Sequence, residues 1–284
     1  MSLNDIAVLI GNPVAHSLSP AFQQAAFDHM NINARYEAWE TYADELKQKI
    51  DLLRSSEYLG ANITIPYKLD SINFVDSIDD IAEQVGAINT IISRNGILAG
   101  TNTDVEGIQN SFKLANVNLK NKNVILFGAG GAARAVMVAM KNAGVKAITV
   151  INRTEKKAKD FELFSDSNFK VSILSAHLAT SQSGKIFTNA DIIINATSLG
   201  MSKGESELLS PIPQELLYSS QVVFDLVYTP EQTPLLQMAE SAGAQCIGGL
   251  AMLVFQGAAS FRLWTDKNPP LEVMFRAAKK ELDY

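Results

Sequence analysis

Val124-Ile125-Leu126-Phe127-Gly128-Ala129-Gly130-Gly131-Ala132-Ala133-Arg134 is the stretch on which the fold turns. A short apolar run enters a glycine-rich turn, and a helix-forming segment leaves it. Ala147-Ile148-Thr149-Val150-Ile151 then reads as a second buried strand, tipped by Asn152-Arg153-Thr154. Strand, glycine turn, helix and strand make a βαβ unit of the dinucleotide-binding kind. The glycines let the backbone turn sharply and approach a pyrophosphate, whose charge rests on the amides and positive end of the following helix. At the tip of the second strand an acid would bind a ribose 2′-hydroxyl and repel a 2′-phosphate. Arg153, with Asn152 and Thr154 beside it, instead suits that phosphate, so the expected cofactor is NADP. The plainer alternative is an ordinary βαβ unit with a solvated arginine.

Working outward, the segment to about residue 103 alternates strand and helix signals. Ile6–Ile10 is a buried-type strand stopped by Gly11-Asn12-Pro13, and Ser19-Pro20 predicts a helix start with Ser19 as N-cap. Ala21, Phe22, Ala25, Ala26 and Met30 follow at helical spacing. A strand is expected over 36–39, a helix over 43–54 and a strand over 61–65 ending at Pro66. A hairpin is expected from 87–93 and 97–100 around Arg94-Asn95-Gly96. Beyond the βαβ unit, Asp191–Asn195 and Val222–Asp225 read as further parallel strands, whereas 164–183 is more polar and unassigned. From Gly248 the pattern turns helical, over 251–264 and again over 271–282. The expected architecture is therefore α/β with two domains. One is an N-terminal α/β substrate domain, 1–103, completed by returning C-terminal helices, 248–284. The other, 104–247, is the dinucleotide domain, and a ligand is expected in a cleft between them.

Composition narrows the function classes. The 284 residues suffice for two domains. A hydrophobic fraction of 47% with 19% charged residues fits an ordinary α/β protein. The net charge of -6 argues against a nucleic-acid partner. Cys246 is the only cysteine, so no internal disulfide forms, and without a Cys/His cluster no metal site is expected. The N-terminus has no signal-peptide pattern, and no apolar run reaches the roughly 18 residues of a membrane span. The expectation is a cytoplasmic enzyme acting on a small molecule, as a monomer or homodimer.

Polar clusters sit at the ends of the predicted elements. Asn12 to Pro20 places Ser17 and Ser19 beside a helix start, where two hydroxyls and nearby amides could bind a carboxylate; alternatively Ser19 is only a cap. Asn62 and Thr64 alternate along one strand face, with Lys68 just beyond. An amine there can protonate an alkoxide as hydride reaches a carbonyl carbon, although most lysines are simply surface residues. Asp104, in Thr101-Asn102-Thr103-Asp104, could cap the next helix. It could instead hold Lys68, and a paired carboxylate favours the charged amine, which suits an acid and hinders the reverse, base role. Gly248-Gly249 precede a helix that carries Met252 and, about one turn on, Gln256; the glycines permit close approach of a cofactor. His16, His29 and His177 are scattered and carry no catalytic assignment.

Taken in order, these segments resemble the shikimate dehydrogenase family over nearly the whole chain. The resemblance rests on Gly11-Asn12-Pro13 with His16–Pro20, Asn62–Lys68, Gly86-Ala87-Ile88-Asn89-Thr90, Asn102-Thr103-Asp104, and Gly128–Arg134. It continues with Asn152-Arg153-Thr154, Asn195-Ala196-Thr197 with Gly200-Met201, Asp225–Pro230 and Gly249–Gln256. It implies reversible NADPH-dependent reduction of 3-dehydroshikimate to shikimate, on the way to chorismate and the aromatic amino acids. It assigns Lys68 as acid/base with Asp104 as its partner. Ser17 and Ser19 would bind the substrate carboxylate with Tyr228 close by, and Asn62, Thr64, Asn89, Asp104 and Gln256 the ring hydroxyls. Gly128, Ala129, Gly130, Gly131, Ala132 and Ala133 would hold the pyrophosphate. Asn152, Arg153, Thr154 and Lys157 would hold the 2′-phosphate. Thr197, Leu226, Gly249 and Met252 would line the nicotinamide end, with Asp80 a further cofactor residue. Such a set of mostly neutral donors and acceptors fits a small hydroxylated anion, and hydrogen-bonding each hydroxyl discriminates against analogues that lack one. Ala133 stands where the dinucleotide pattern has its third glycine, a replacement that leaves the motif intact.

Two alternatives stay open. A quinate or dual-specificity relative would share the fold, but Ser19 and Arg153 favour shikimate and NADP. A non-catalytic dinucleotide sensor would keep the glycine turn and have no use for Lys68 and Asp104.

Overall fold

A computed structural model describes residues 5–175, 184–202 and 206–282. The chain forms two compact units, one built from residues up to Gly107 together with Leu253 onward, the other from Ile108–Met252.

The first unit contains β1 (Asp5–Gly11), α1 (Ser19–His29), β2 (Ala34–Glu40), α2 (Leu46–Leu52), β3 (Tyr58–Ile63), β4 (Ser77–Ile78), α3 (Asp80–Val85), β5 (Thr90–Arg94) and β6 (Ile97–Thr101). Its sheet runs β2-β1-β3-β5-β6-β4. Strands β1, β2 and β3 are parallel, while β5 pairs antiparallel with both β3 and β6. Every residue of β1 is buried, as expected of a strand covered on both faces, whereas edge strand β2 alternates. Asn95 and Gly96 both have positive φ (53° and 80°), the conformation that closes a two-residue hairpin. Strand β3 starts and ends earlier than the sequence predicts. Pro66 offers no amide for further pairing, and the Tyr67 N–H closes a turn on the Thr64 carbonyl (3.0 Å). Ser19 is not the N-cap of α1. Leu18 occupies that place without a side-chain cap, while the Ser19 N–H donates to Ser17 Oγ (3.2 Å). The predicted helix over 43–54 is regular only over α2.

C-terminal segments complete this unit. Helix α4 (Asp104–Leu114) begins in it, and after the second unit α9 (Gly249–Thr265) and α10 (Leu271–Leu282) return to it. Phe27 of α1 meets Phe261 of α9 with ring centroids 5.3 Å apart, and both are fully buried. Burying such rings contributes about 2–3 kcal/mol each. Trp264 Nε1 donates to the Ile91 carbonyl (3.0 Å), and Gln23 Nε2 to the Gly257 carbonyl (2.8 Å), so sequence-distant segments are tied by polar as well as apolar contacts.

The second unit contains β7 (Asn123–Phe127), α5 (Gly131–Asn142), β8 (Ala147–Asn152), α6 (Glu155–Ala158), β9 (Lys170–Ser175), α7 (Gly184–Thr188), β10 (Ile192–Asn195), β11 (Val222–Asp225), α8 (Pro234–Ser241) and β12 (Gln245–Ile247). All its strands are parallel, in the order β12-β11-β10-β7-β8-β9. Counted from β7 that is 3-2-1-4-5-6, the doubly wound Rossmann order, whose chain reversal lies between β7 and β10. Strand β9 falls in the unassigned polar stretch. It is an edge strand paired only with β8, and its half-exposed side chains erase the apolar run that marks a central strand. Residues 176–183, His177 among them, lie outside the described residues. Among those described, no helix is long and apolar enough to cross a membrane.

Candidate active site

Lys68 and Asp104 meet in the first unit. Lys68 follows the turn after β3, and its carbonyl accepts the Ile88 N–H (2.8 Å), which holds that turn against the segment entering β5. Asp104 is the first residue of α4 and is 2% exposed, with the Lys68 ammonium 2.5 Å from Oδ2. A buried carboxylate is tolerable only when paired, and Lys68 is the cation that pairs it. Its other oxygen accepts from Asn89 Nδ2 (2.8 Å). The carboxylate is thus committed to Lys68 and Asn89 rather than to capping its own helix. Asn89 Nδ2 also reaches Gln256 Oε1 (3.1 Å), while Gln256 Nε2 donates to the Leu253 carbonyl (2.8 Å). Lys68, Asn89, Asp104 and Gln256, far apart in sequence, therefore form one contiguous polar cluster.

The remaining substrate candidates are placed differently. Ser19 is buried and Ser17 half-buried at the start of α1, where Ser17 Oγ takes the Ser19 N–H and Pro20 has no N–H, so an anion there would meet the two hydroxyls rather than a row of free amides. Thr64 is half-buried just past β3. Asn62 is 4% exposed and engaged by the protein itself: Oδ1 accepts from Tyr36 Oη (2.8 Å), and Nδ2 donates towards Ser260 Oγ (2.9 Å) and the Asn89 carbonyl (3.2 Å). Burial holds the Tyr36 hydroxyl above its ordinary pKa, so it remains a donor. Asp80 is exposed at the start of α3. Tyr228 is half-buried and belongs to the second unit.

In the second unit the glycine turn follows β7. Gly128 has φ 108°, and a Cβ there would lie 2.8 Å from the Ala196 carbonyl oxygen, so only glycine fits where the loops after β7 and β10 touch. A Cβ at Gly130 would meet nothing within 4 Å, and Gly130 caps α5 with no side-chain bond. Open space before an uncapped helix start suits a pyrophosphate, and Ala129, Gly131, Ala132 and Ala133 carry the chain around it. Arg153, Thr154 and Lys157 are exposed past β8, where Asn152 Nδ2 holds the tip by donating to the Thr154 carbonyl (2.8 Å). The residues present fit a 2′-phosphorylated dinucleotide. Gly249 is also required by its own unit. A Cβ there would collide with the Leu226 carbonyl and come 2.7 Å from that of Val227, so backbone packing within the unit demands glycine at this position. Met252 is buried, and Thr197 and Leu226 are half-buried.

Sequence patterns do not reveal a second buried network, at the ends of β10 and β11. Asn195 and Asp225 are register partners there, and Asn195 Nδ2 donates to Asp225 Oδ1 (2.9 Å). Val227 N (3.0 Å) and Thr233 Oγ1 (2.7 Å) donate to the same carboxyl group. Burial pushes the Asp225 carboxyl up to about 6, against the opposing pull of these three donors.

A Rossmann unit joined to a unit that presents a paired lysine and carboxylate defines a pyridine-nucleotide-dependent dehydrogenase. Comparison with known proteins narrows the class. Residues 9–91 match the shikimate dehydrogenase substrate binding domain, 109–230 the shikimate / quinate 5-dehydrogenase domain, and 249–279 the shikimate 5'-dehydrogenase C-terminal domain. The shikimate dehydrogenase (NADP(+)) of Nitrosopumilus maritimus is 37% identical over 95% of this chain and 96% of its own. Shikimate 5-dehydrogenase from Listeria monocytogenes, solved with shikimate and NAD, superposes with a TM-score of 0.88 at 31% identity, covering 100% of this chain and 98% of that one. The Thermus thermophilus enzyme, solved with NADP(H) and shikimate, gives 0.85 at 34% identity over 98% and 100%. The chain belongs to the shikimate dehydrogenase family.

Proposed function

We propose that this chain catalyses the reversible reduction of 3-dehydroshikimate to shikimate with NADPH, as a cytoplasmic enzyme of aromatic amino-acid biosynthesis. The observation that carries the reading is the buried Lys68–Asp104 pair, joined by Asn89 to Gln256. A sensor that only bound a dinucleotide would gain nothing from this arrangement. The first unit is the substrate domain and the second the NADP domain. The Ser17 and Ser19 hydroxyls take the substrate carboxylate, Tyr228 assisting. Thr64, Asn89, Asp104 and Gln256 take the ring hydroxyls. The glycine turn from Gly128 to Ala133 holds the pyrophosphate. Asn152, Arg153, Thr154 and Lys157 hold the 2′-phosphate, and Thr197, Leu226, Gly249 and Met252 line the nicotinamide side.

The cofactor supplies a hydride equivalent. As the substrate carbonyl carbon accepts it, the carbonyl π pair moves onto oxygen and takes a proton from the Lys68 ammonium. This leaves a neutral amine beside Asp104, which recovers its proton from solvent. In the reverse direction the neutral amine removes the shikimate hydroxyl proton. Asp104 keeps the amine oriented and, with Asn89, faces the hydroxyl pattern that identifies the substrate.

The test is turnover of purified protein with shikimate or quinate, each with NADP or NAD, followed by reduced-cofactor absorbance. Shikimate with NADP should dominate. Comparable turnover with quinate or NAD would move the chain to the dual-specificity branch, and no turnover with any pair would sink the assignment.

A further inference from the structure

We propose that Ser260, on α9 one turn beyond Gln256, is a positioning residue for the active site through a hub of buried hydroxyls; this rests on the proposed shikimate dehydrogenase reaction. Ser260 is fully buried, as is Thr90, and Thr103 is nearly so. Their hydroxyl oxygens lie within hydrogen-bonding distance of one another: Thr90–Ser260 2.8 Å, Thr90–Thr103 3.1 Å and Thr103–Ser260 3.2 Å. Asn89, which touches Asp104 directly, sits against this hub.

Counting donors fixes the direction of the network. The Thr103 backbone N–H donates to Asn89 Oδ1 (2.7 Å), and a backbone amide cannot reverse its role. Oδ1 must therefore face Thr103, which leaves Nδ2 to serve Asp104 Oδ1 and Gln256 Oε1. The Thr103 hydroxyl also donates to Oδ1 (3.1 Å), while Thr90 Oγ1 lies 3.0 Å from it and gives its single hydrogen to Ser260. Ser260 Oγ donates its hydrogen to the Gln256 carbonyl one turn back (3.1 Å), so its oxygen acts as an acceptor towards Thr90 and Asn62 Nδ2. Asn62 is held from the other side by the Tyr36 hydroxyl. Each amide is thereby forced into one orientation, and the chain of constraint runs from Tyr36 and Asn62 through Ser260 and Thr90 to Asn89 and Asp104. In such a network, buried and fully satisfied, loss of one member leaves its partners unpaired rather than solvated. Asn62 is thereby tied into the same network.

Removing the Ser260 oxygen loosens Asn89 and lets the Asp104–Lys68 pair drift, which slows the chemical step without touching cofactor binding. The experiment compares the intact chain with Ser260→Ala, measuring kcat with shikimate, KM for NADP and the far-UV circular dichroism spectrum. The expected result is a kcat about tenfold lower, the size for one buried hydrogen bond, with the KM for NADP and the folded spectrum unchanged. An unchanged kcat overturns the proposal. So does a lower kcat accompanied by a matching loss of folded signal, since that marks a structural role only. Wild-type protein inactive on shikimate would count against the proposed reaction alone. A crystal structure of Ser260→Ala decides the positioning claim independently: Asn89 still bonded to Asp104 in the original geometry overturns it, and a displaced Asn89 amide upholds it.

Discussion

At the scale of single residues, Lys68 and Arg153 make opposite demands on their surroundings. Lys68 is held by a buried carboxylate, its side chain only 15% exposed, so in the proposed reaction its proton would be delivered from a defined place. Lys68→Ala should lower kcat by about a thousandfold, within the range for a lost general acid, while leaving NADP affinity unchanged. Full turnover in that variant would remove the acid role. Arg153 is exposed and, in the proposed reading, meets its partner only when a 2′-phosphate arrives. Arg153→Ala should raise the KM for NADP by about ten- to a hundredfold, as for lost charge-assisted hydrogen bonds, and leave that for NAD nearly unchanged. Equal losses with both cofactors would contradict the assignment. Both residues were legible in the sequence because each stands just beyond a strand with a clear apolar signature. Ser260 was not legible. It reads as one small residue in an apolar helix, and its meaning comes from Thr90 and Asn62, which only the fold brings beside it.

At the scale of elements, the ends of β10 and β11 are joined by the Asn195–Asp225 pair. Thr233 links the same carboxyl group to α8, since its hydroxyl oxygen also caps that helix by accepting the Leu236 N–H (3.2 Å). Thr197 is tied in too, donating from Oγ1 and its backbone amide to Asn195 Oδ1 (2.6 and 3.0 Å). One carboxyl group thus organises the loops after two strands. The strands were legible from their apolar runs, but their adjacency needs the parallel order, so Asn195 and Asp225 read only as strand ends. Because Asp225 titrates near 6 when folded, above its ordinary 3.8, the folded state holds this proton more tightly than the unfolded state does. Its contribution to stability is complete below about pH 4 and is lost as pH rises through 6, by about 3 kcal/mol at most. Asp225→Asn, which mimics the neutral acid, should remove this part of the pH dependence. Urea unfolding at pH 4.5 and 7 checks it: wild type should lose more stability over that interval than the variant, and identical losses would show that Asp225 does not titrate there.

At the scale of the whole molecule, the chain leaves its first unit at α4, builds the second, and returns through α9 and α10. The glycine turn and the switch from alternating to helical patterning at Gly248 made the second unit and the returning helices legible. Which N-terminal groups those helices complete was not, because the contacts join residues at opposite ends of the chain. The two units consequently differ in what they need. All described strands of the second unit lie between Asn123 and Ile247, with its glycine turn and Arg153 tip inside that span. The first unit borrows Gln256, Ser260, Phe261 and Trp264 from the returning helix. Deleting residues from Leu253 onward removes Gln256 from Asn89 and Ser260 from the hydroxyl hub, and leaves Phe27 and the Ile91 carbonyl without their partners. Loss of buried aromatic packing of about 3–5 kcal/mol for each ring is comparable with the whole stability of a domain, so the first unit should unfold. The glycine turn, its strand and the Arg153 tip remain together in what is left. The truncated chain should therefore bind NADPH, seen as a change in the cofactor's fluorescence, while showing no shikimate turnover and a weakened far-UV signal. Loss of NADPH binding along with turnover would mean that the second unit depends on the first for its fold. Retained turnover would mean that the returning helices are dispensable, which the burial of Gln256 and Ser260 in the active-site network argues against.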